Sequence, residues 1–223
     1  DGRYSIQARQ ESGKNFIIDE IYKNDLTSVF QKSKKIYKLG FDPKLFTENF
    51  LKKKFINKCE LIPLNNNLVD IIYKKNKINR NKPFYALNDN ITGENVSSKI
   101  NRLTDILIRK KFDNLFISSP DNCAWLLNIR GFDQPYSPIP NCRIILNRFK
   151  KIYFFSDLNK SIKIRNNIRY KKIEFFSLRE FFKVILKLKG KSFCIDENSC
   201  SVYHKSLISS KFKIVDKKDP CEY

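Results

Sequence analysis

The chain has 223 residues, of which 44 are Lys or Arg and 23 are Asp or Glu, so its formal net charge is +21. Hydrophobic residues make up 41% and aromatic residues 13%, which is enough for a buried core and excludes an intrinsically disordered protein. The six cysteines include no C-x-x-C pair, which excludes a zinc ribbon and a thioredoxin-like site. We interpret them as reduced thiols of a cytoplasmic protein.

The positive charge is the most unusual feature of the composition. Lys and Arg patches bind nucleic acids by releasing counterions from the phosphate backbone. Here the lysines are spread along the chain, and no RNP-like strand, GXXG loop or Cys/His finger occurs. Frequent Lys, Asn, Ile, Phe and Tyr are together typical of an AT-rich coding sequence. We therefore expect a solvated basic surface and no nucleic-acid partner, while polyanion binding stays an alternative.

The ends and the hydropathy of the chain give two further expectations. No methionine occurs, and the chain begins on the turn residues Asp1 and Gly2, so we interpret it as a piece of a longer protein. No apolar run approaches the roughly 20 residues that a membrane-spanning helix needs, so we expect no membrane partner.

The first part of the chain alternates between helix and strand patterns. Helices are predicted at 4–8, 26–36 and 46–55, and strands at 17–20 and ending at 39–43, where Gly40 and Pro43 interrupt the pattern. A Lys- and Asn-rich stretch at 74–82 is expected to cross the surface. Residues 89–96 are expected to be a linker between two domains.

The second part alternates more regularly. The sequence predicts a helix from about Ser97 with an apolar face, a buried strand at 115–117, and a helix that begins with Ser119 as N-cap and Pro120 as its first residue. Strands at 143–146 and 151–155 are predicted to be antiparallel. A capping box at 177–180 precedes a helix with the apolar stripe Phe181, Phe182, Ile185 and Leu188. A strand at 193–195, a helix from about Ser199 and a strand at 212–215 complete an α/β fold with a mixed sheet.

Residues that could carry chemistry are few. His204 is the only histidine, and we interpret it as an ordinary exposed side chain and not as the partner of Cys200 in a nucleophilic pair. No H-x-x-x-H, P-loop or G-x-S-x-G motif occurs, and the carboxylates are scattered. The sequence therefore predicts no catalytic residue and no metal ligand in this chain.

The densest unusual stretch is 124–140, with the sequence AWLLNIRGFDQPYSPIP. Its three prolines fix φ and stiffen the loop, which can hold neighbouring side chains in a defined direction. The candidate functional residues are Trp125, Arg130, Asp133 and Tyr136, in a rigid loop that faces a partner domain or a substrate cleft. The alternative is that Trp125 belongs to the core and the prolines only shape a turn.

This stretch carries a family resemblance. Residues 125–140 resemble the WLLNIRG-x-D-x-x-x-x-P segment of Xaa-Pro aminopeptidases (aminopeptidase P), relatives of creatinase and prolidase. Further motifs follow in the order of the family: DGRY-x-x-QA at 1–8, (I/L)G-x-DP at 39–43, NLVD-x-(I/V)W at 67–73 with Tyr73 in place of Trp, GE-x-x-x-x-K(I/L) at 93–100 and DP at 219–220.

The resemblance implies two consecutive creatinase N-terminal-like domains with mixed sheets flanked by helices. The first would occupy 1–88 and be incomplete at its start, and the second would occupy 97–223. The pita-bread catalytic domain of the family would be absent. Family members hold two divalent metal ions, manganese or zinc, with two Asp, one His and two Glu of that domain, so this chain alone is expected to be inactive.

The resemblance also implies partners and a role. The implied partners are peptides with proline at the second position, the protein's own C-terminal catalytic domain and a second copy in a homodimer. These domains would shape substrate access and assembly, with Trp125 as a packing anchor and Arg130 and Asp133 as polar contacts. The alternative is a free-standing creatinase-like module that binds a peptide or protein without peptidase activity.

Overall fold

The computed structural model describes residues 2–20, 27, 30, 35–55, 59–73 and 82–222. In the first part, strands β1 (Tyr37–Phe41) and β2 (Cys59–Pro63) pair in parallel. The described residues of this part also form the helices α1 (Gly2–Glu11), α2 (Glu48–Phe55) and α3 (Leu68–Ile72).

Most predictions for the first part that fall on described residues are confirmed. The predicted helix at 4–8 lies within α1, the strand ending at 39–43 is β1, and the helix at 46–55 is α2 with a start two residues later. The strand predicted at 17–20 is wrong: these residues have no regular structure, and Ile17 is 99% exposed. The helix at 26–36 and the surface stretch at 74–82 lie mainly outside the described residues.

A six-stranded mixed sheet organises the second part. Its strands are β4 (Asn114–Ile117), β6 (Arg143–Asn147), β7 (Ile152–Ser156), β8 (Ile173–Ser177), β9 (Ser192–Ile195) and β10 (Lys213–Asp216). Their order in the sheet is β10-β9-β4-β6-β7-β8. The strands β9, β10 and β4 run parallel, as do β7 and β8, while β6 is antiparallel to both β4 and β7.

Six α-helices, three short 3-10 helices and a separate two-stranded sheet accompany it among the described residues. The sheet pairs β3 (Tyr85–Ala86) with β5 (Ile129–Arg130) in antiparallel orientation. The helices are α4 (Asp89–Thr92), α5 (Val96–Arg109), α6 (Pro120–Leu127), α7 (Leu158–Arg165), α8 (Phe181–Lys187) and α9 (Val202–Ser209). No helix among the described residues is long and apolar enough to cross a bilayer.

The sheet buries apolar side chains on both faces because successive strand residues point to opposite sides. In β4, Leu115 and Ile117 enter one core cluster with residues of α5, α6 and α7, whereas Phe116 enters the other with residues of α8 and α9. Each fully buried side chain of this kind contributes about 1.5–3 kcal/mol. The result is a three-layer α/β/α arrangement, which confirms the predicted fold class.

Local sequence signals in the second part are reproduced with small shifts. Ser119 is the N-cap of α6 with Pro120 at its first turn, and the capping box of Ser177 and Glu180 is present. Two predictions need correction. Phe182 is 40% exposed, and Val184 takes its place in the apolar stripe; the helix expected from about Ser199 begins at Val202.

The segment expected to be a linker is partly ordered into secondary structure. Residues 89–92 form α4, and the Asn95 side chain accepts a hydrogen bond from the Ser98 N–H at the start of α5. Upstream of it, Phe84 is buried in the core cluster of the second part, and its N–H donates to Lys160 O at 2.8 Å. The division into domains at 1–88 and 97–223 stays a prediction.

The first part contacts the second at the start of α9. The N–H groups of Val202 and Tyr203 donate to Phe46 O and Pro43 O at 2.9 and 2.8 Å. Close by, the Lys205 ammonium forms ion pairs with Glu48 and Glu197. These contacts tie the segment before α2 to the second part.

Candidate functional site

The candidate site is the Pro loop, which we define as residues 130–140. Strand β5 begins it and pairs with β3, so that Arg130 lies opposite Tyr85. The Gly131 N–H donates to Pro138 O at 2.8 Å, and Gln134 and Ser137 form an antiparallel bridge nearer the tip. The loop is therefore closed by its own backbone as well as stiffened by its prolines.

Gly131 is required by the close approach of the chain at the base of the loop. A Cβ atom at this position would lie 2.9 Å from both Phe84 Cδ1 and Pro140 Cα. Such distances are too short for van der Waals contact, and the obstacle at Pro140 is backbone, which cannot rotate away. The glycine of the motif thus has a packing reason.

Replacing Gly131 with Ala should lower the free energy of unfolding by about 1–3 kcal/mol, because the added methyl group overpacks the base of the loop. Gly2→Ala is the matched control, since nothing lies within 4 Å of a Cβ at Gly2. Urea unfolding followed by circular dichroism measures both. A Gly131→Ala protein as stable as the control would show that the base of the loop is looser than described.

Asp133 lies on the inner side of the loop. Its Oδ2 accepts a hydrogen bond from the Asn141 N–H at 2.6 Å, and its Oδ1 forms an ion pair with Lys160, with side chains only 8% and 17% exposed. Hydrogen bonds between ionised partners are stronger than neutral ones. Asp133 therefore fastens the loop to α7, and this bonding leaves little of its side chain at the surface.

The other candidate residues occupy different positions. Arg130 is half-buried, and its Nη1 donates to Ile129 O at 2.8 Å. Tyr136 is at the tip of the loop, fully exposed and with a φ of 62°. Trp125 is half-buried on α6 and packs against the core cluster. Arg130, Asp133 and Tyr136 thus share one loop, and Trp125 belongs to the helix that precedes it.

Two exposed aromatic residues were not singled out from the sequence. Phe132 in the loop is 43% exposed, and its ring centroid lies 5.4 Å from that of Tyr85, which is 37% exposed. The Lys82 Nζ lies 5.2 Å from the Phe132 centroid. With Arg130 paired opposite Tyr85, the loop presents aromatic and cationic groups together. Only the strand pairing across 45 residues creates this surface, so no local pattern could have revealed it.

Lys99 is a second residue that was not singled out from the sequence, and it contacts Trp125. The side chain is only 2% exposed, and its Nζ donates to Trp125 O at 2.8 Å and to Asn128 Oδ1 at 2.6 Å. The same Nζ lies 4.4 Å from the Trp125 ring centroid, which is cation–π geometry. Burial lowers the pKa of Lys99 below its ordinary value. The GE-x-x-x-x-K motif was the available sequence signal.

Asn128 completes this network in a left-handed conformation, with φ 52° and ψ 42°. Its Nδ2 donates to Thr92 Oγ1 at 3.0 Å and to Glu94 O at 2.8 Å. The cation of Lys99 at the carboxyl end of α6 also complements the helix dipole. The end of α6, from which the Pro loop departs, is therefore fixed by buried polar contacts.

His204 is not the ordinary exposed side chain that the sequence suggested. Its ring lies between Phe116 and Phe181, with centroid distances of 5.3 and 4.8 Å, and burial is the main cause that lowers its pKa to about 4. Burial also raises the pKa of the Cys200 thiol to about 12. A protonated thiol is a poor nucleophile, so the two residues do not form an activated pair. All six cysteines lie in the described part, and all are free.

The side chains in the described ranges do not fit a metal centre. No group of three or more His, Cys, Asp and Glu side chains there is placed to hold a metal ion. We therefore assign no metal-dependent step to these residues.

Comparisons with known proteins place this architecture in a family. The model of the creatinase/prolidase N-terminal domain matches residues 75–223. Proteins named probable Xaa-Pro aminopeptidase P are 32% identical over 149 residues in Colletotrichum graminicola and 27% identical over 184 residues in Fusarium vanettenii. These matches cover 62% and 78% of this chain but 24% and 30% of the relatives.

A solved structure shares the fold over nearly the whole chain. It is an X-prolyl aminopeptidase from Caenorhabditis elegans, described as a cytosolic enzyme with a di-nuclear active site; the TM-score is 0.76 at 22% identity. The match covers 99% of this chain and 40% of that one. The chain spans about a quarter to a third of the curated relatives it matches. With the family model matching more than half of its residues, the chain belongs to the creatinase/prolidase N-terminal domain family.

Proposed function

We propose that this chain is the non-catalytic N-terminal part of a metal-dependent Xaa-Pro aminopeptidase, which removes the N-terminal residue that precedes proline in a peptide. The observation that carries the proposal is the match to Xaa-Pro aminopeptidase P at 32% identity over only 24% of that relative. Its support is the series of motifs that runs in family order along the chain. The proposed location is the cytoplasm.

The proposed chemistry belongs to a catalytic domain outside these residues. Two Asp, one His and two Glu of that domain would hold two divalent ions, manganese or zinc. Such ions activate a bound water for attack on the scissile carbonyl. The present chain contributes contacts to that domain and, in this proposal, to a second copy in a homodimer.

The proposed role of the chain is to shape access to the active site through the Pro loop. The loop is held from inside by Asp133, and its departure point is held through Trp125 and Lys99. Its outer side carries Arg130, Phe132 and the tip residue Tyr136. A rigid surface of this kind can contact the peptide beyond its first residues and exclude long or folded substrates.

The first experiment is to read the coding sequence beyond Tyr223. The proposal expects two Asp, one His and two Glu in the order of the pita-bread fold. The extended protein with manganese should then cleave Xaa-Pro peptides, and the 223-residue chain should not. A stop codon soon after Tyr223 would refute the peptidase proposal and leave a free-standing module that binds a peptide or protein.

Replacing Arg130 with Ala in the extended protein should lower kcat/KM for Xaa-Pro peptides of several residues by about tenfold, which corresponds to about 1.4 kcal/mol of lost transition-state binding. Arg165→Ala on the exposed face of α7 is the matched control. Steady-state kinetics on peptides of increasing length measure the effect, with circular dichroism as a check of folding. Kinetics unchanged from the control would rule out Arg130 as a substrate contact.

A further inference from the structure

A cavity of about 490 Å³ opens between the carboxyl-terminal half of α5 and the end of the edge strand β10. Its floor is apolar and consists of Ile106, Phe112, Cys194 and Pro220. Cys194 is fully buried in the core cluster, against which Ile106 and Phe112 also pack, and Pro220 is buried. The floor is thus part of the core, so the cavity does not need to form when a ligand arrives.

The rim of the cavity is cationic. Arg109, Lys110, Lys217 and Lys218 line it, and none of the described residues that line it is a carboxylate. Lys218 pairs with Glu222 at 3.1 Å. The other three are exposed and form no ion pair with any residue in the described ranges. Three positive charges therefore border an apolar floor without an acidic group in the lining.

The end of α5 does not oppose an anion here as strongly as a bare helix terminus would. Three of the last carbonyls accept hydrogen bonds. Ile106 O accepts from the Lys110 N–H at 3.0 Å and Leu107 O accepts from the Phe112 N–H at 2.9 Å. Ile108 O accepts from the Lys111 N–H at 3.1 Å. Unsatisfied carbonyls are the source of the negative end of the helix dipole. With these acceptors paired, the end of α5 adds little negative charge beside the cations of the rim, and the carboxylates of Asp216 and Asp219 act on the Cys194 thiol from outside the lining.

We propose that this cavity binds an amphiphilic organic anion, with an aliphatic or aromatic body on the apolar floor and a carboxylate or sulfonate among Arg109, Lys110 and Lys217. The volume lies within the range of about 300–1,000 Å³ that is usual for small-molecule sites. Burial of the body supplies the affinity, and the cations orient the anionic group. This site is separate from the Pro loop and does not depend on the proposed peptidase function.

The test uses the 223-residue chain with two probes, 8-anilinonaphthalene-1-sulfonate and decanoate. We expect a saturable, blue-shifted fluorescence increase with one sulfonate bound per chain, reversed by decanoate. Raising the salt concentration should weaken the binding of 8-anilinonaphthalene-1-sulfonate only modestly, since most of its affinity comes from the apolar floor. Fluorescence that rises without saturation, or that decanoate does not reverse, would overturn the proposal.

Two pairs of variants assign the binding to this cavity. Ile106→Trp places a larger side chain in the cavity. It should lower the affinity for 8-anilinonaphthalene-1-sulfonate by about tenfold or more, since a factor of ten corresponds to only about 1.4 kcal/mol. Ile162→Trp on the exposed side of α7 is its control. Lys217→Glu should weaken binding by about fivefold, the effect of roughly 1 kcal/mol.

Lys163→Glu on α7 makes the same charge change away from the cavity and should leave binding unchanged. Because Lys217 is exposed, its variant keeps the test valid if Ile106→Trp does not fold. Equal losses in Lys217→Glu and Lys163→Glu would mean that the probe responds only to net charge, and the proposal would fail.

Discussion

Replacing Lys99 with Met should destabilise the chain by about 3 kcal/mol, because breaking a buried polar contact on one side leaves the other side unpaired. Trp125 O and Asn128 Oδ1 would lose their donor, and the Trp125 ring would lose the nearer of its two cations and keep only Arg102 at 5.6 Å. Met retains most of the apolar volume of the side chain, so the decrease in the free energy of unfolding measures the loss of the polar contacts. Urea unfolding at neutral pH measures it.

Lys163→Met is the matched control, since Lys163 is exposed on α7 and its ammonium forms no ion pair with the described residues. It should change the stability by less than about 0.5 kcal/mol. Asn128→Asp provides an independent comparison, because a carboxylate would still accept from Lys99 but could no longer donate to Thr92 Oγ1 and Glu94 O. Equal stability of Lys99→Met and Lys163→Met would contradict the buried network.

Local patterns predicted the second part of the fold well. The helix α5, the strand β4 and the hairpin of β6 and β7 each have a signal within a few neighbouring residues: an apolar face, a continuous apolar run and a short turn. The capping box at Ser177 is a four-residue motif and was found at its position. These features form for local reasons, and tertiary packing moved their bounds by only a few residues.

The candidate site was predicted less completely because its contacts are distant in sequence. Asp133 reads as an available polar side chain in a loop, but Lys160, 27 residues later, turns it inward. Lys99 meets Asn128 over 29 residues. Whether a residue of a short helix is exposed is equally hard to predict: nothing near His204 in the sequence indicates that Phe116 and Phe181 pack against its ring. A loop motif gives the residue types, and only the assembled fold gives their directions.

The largely enclosed but not fully buried His204 predicts a specific loss of stability in acid. Its pKa is lowered from 6.5 to about 4, mainly by burial and secondly by the positive charge of Arg143. Between these values the unfolded chain binds more protons than the folded one, so stability falls as the pH decreases from about 6.5 to 4. The full difference corresponds to about 3 kcal/mol, of which about 2 kcal/mol would be lost by pH 5.

His204→Phe should remove this contribution, because phenylalanine fits the aromatic surroundings and does not titrate. The carboxylates of the chain titrate in both proteins and cancel in the difference. The variant loses the hydrogen bond between Ser201 Oγ and the ring Nδ1 of His204, which are 2.9 Å apart, at both pH values. It keeps the backbone N–H that donates to Ser201 Oγ, so the N-cap of α9 remains. Urea unfolding at pH 7 and pH 5 gives the comparison: the wild-type chain should lose about 2 kcal/mol more than the variant. Equal losses in the two proteins would mean that His204 is solvated in the folded state, and the aromatic enclosure between α8, α9 and β4 would have to be abandoned.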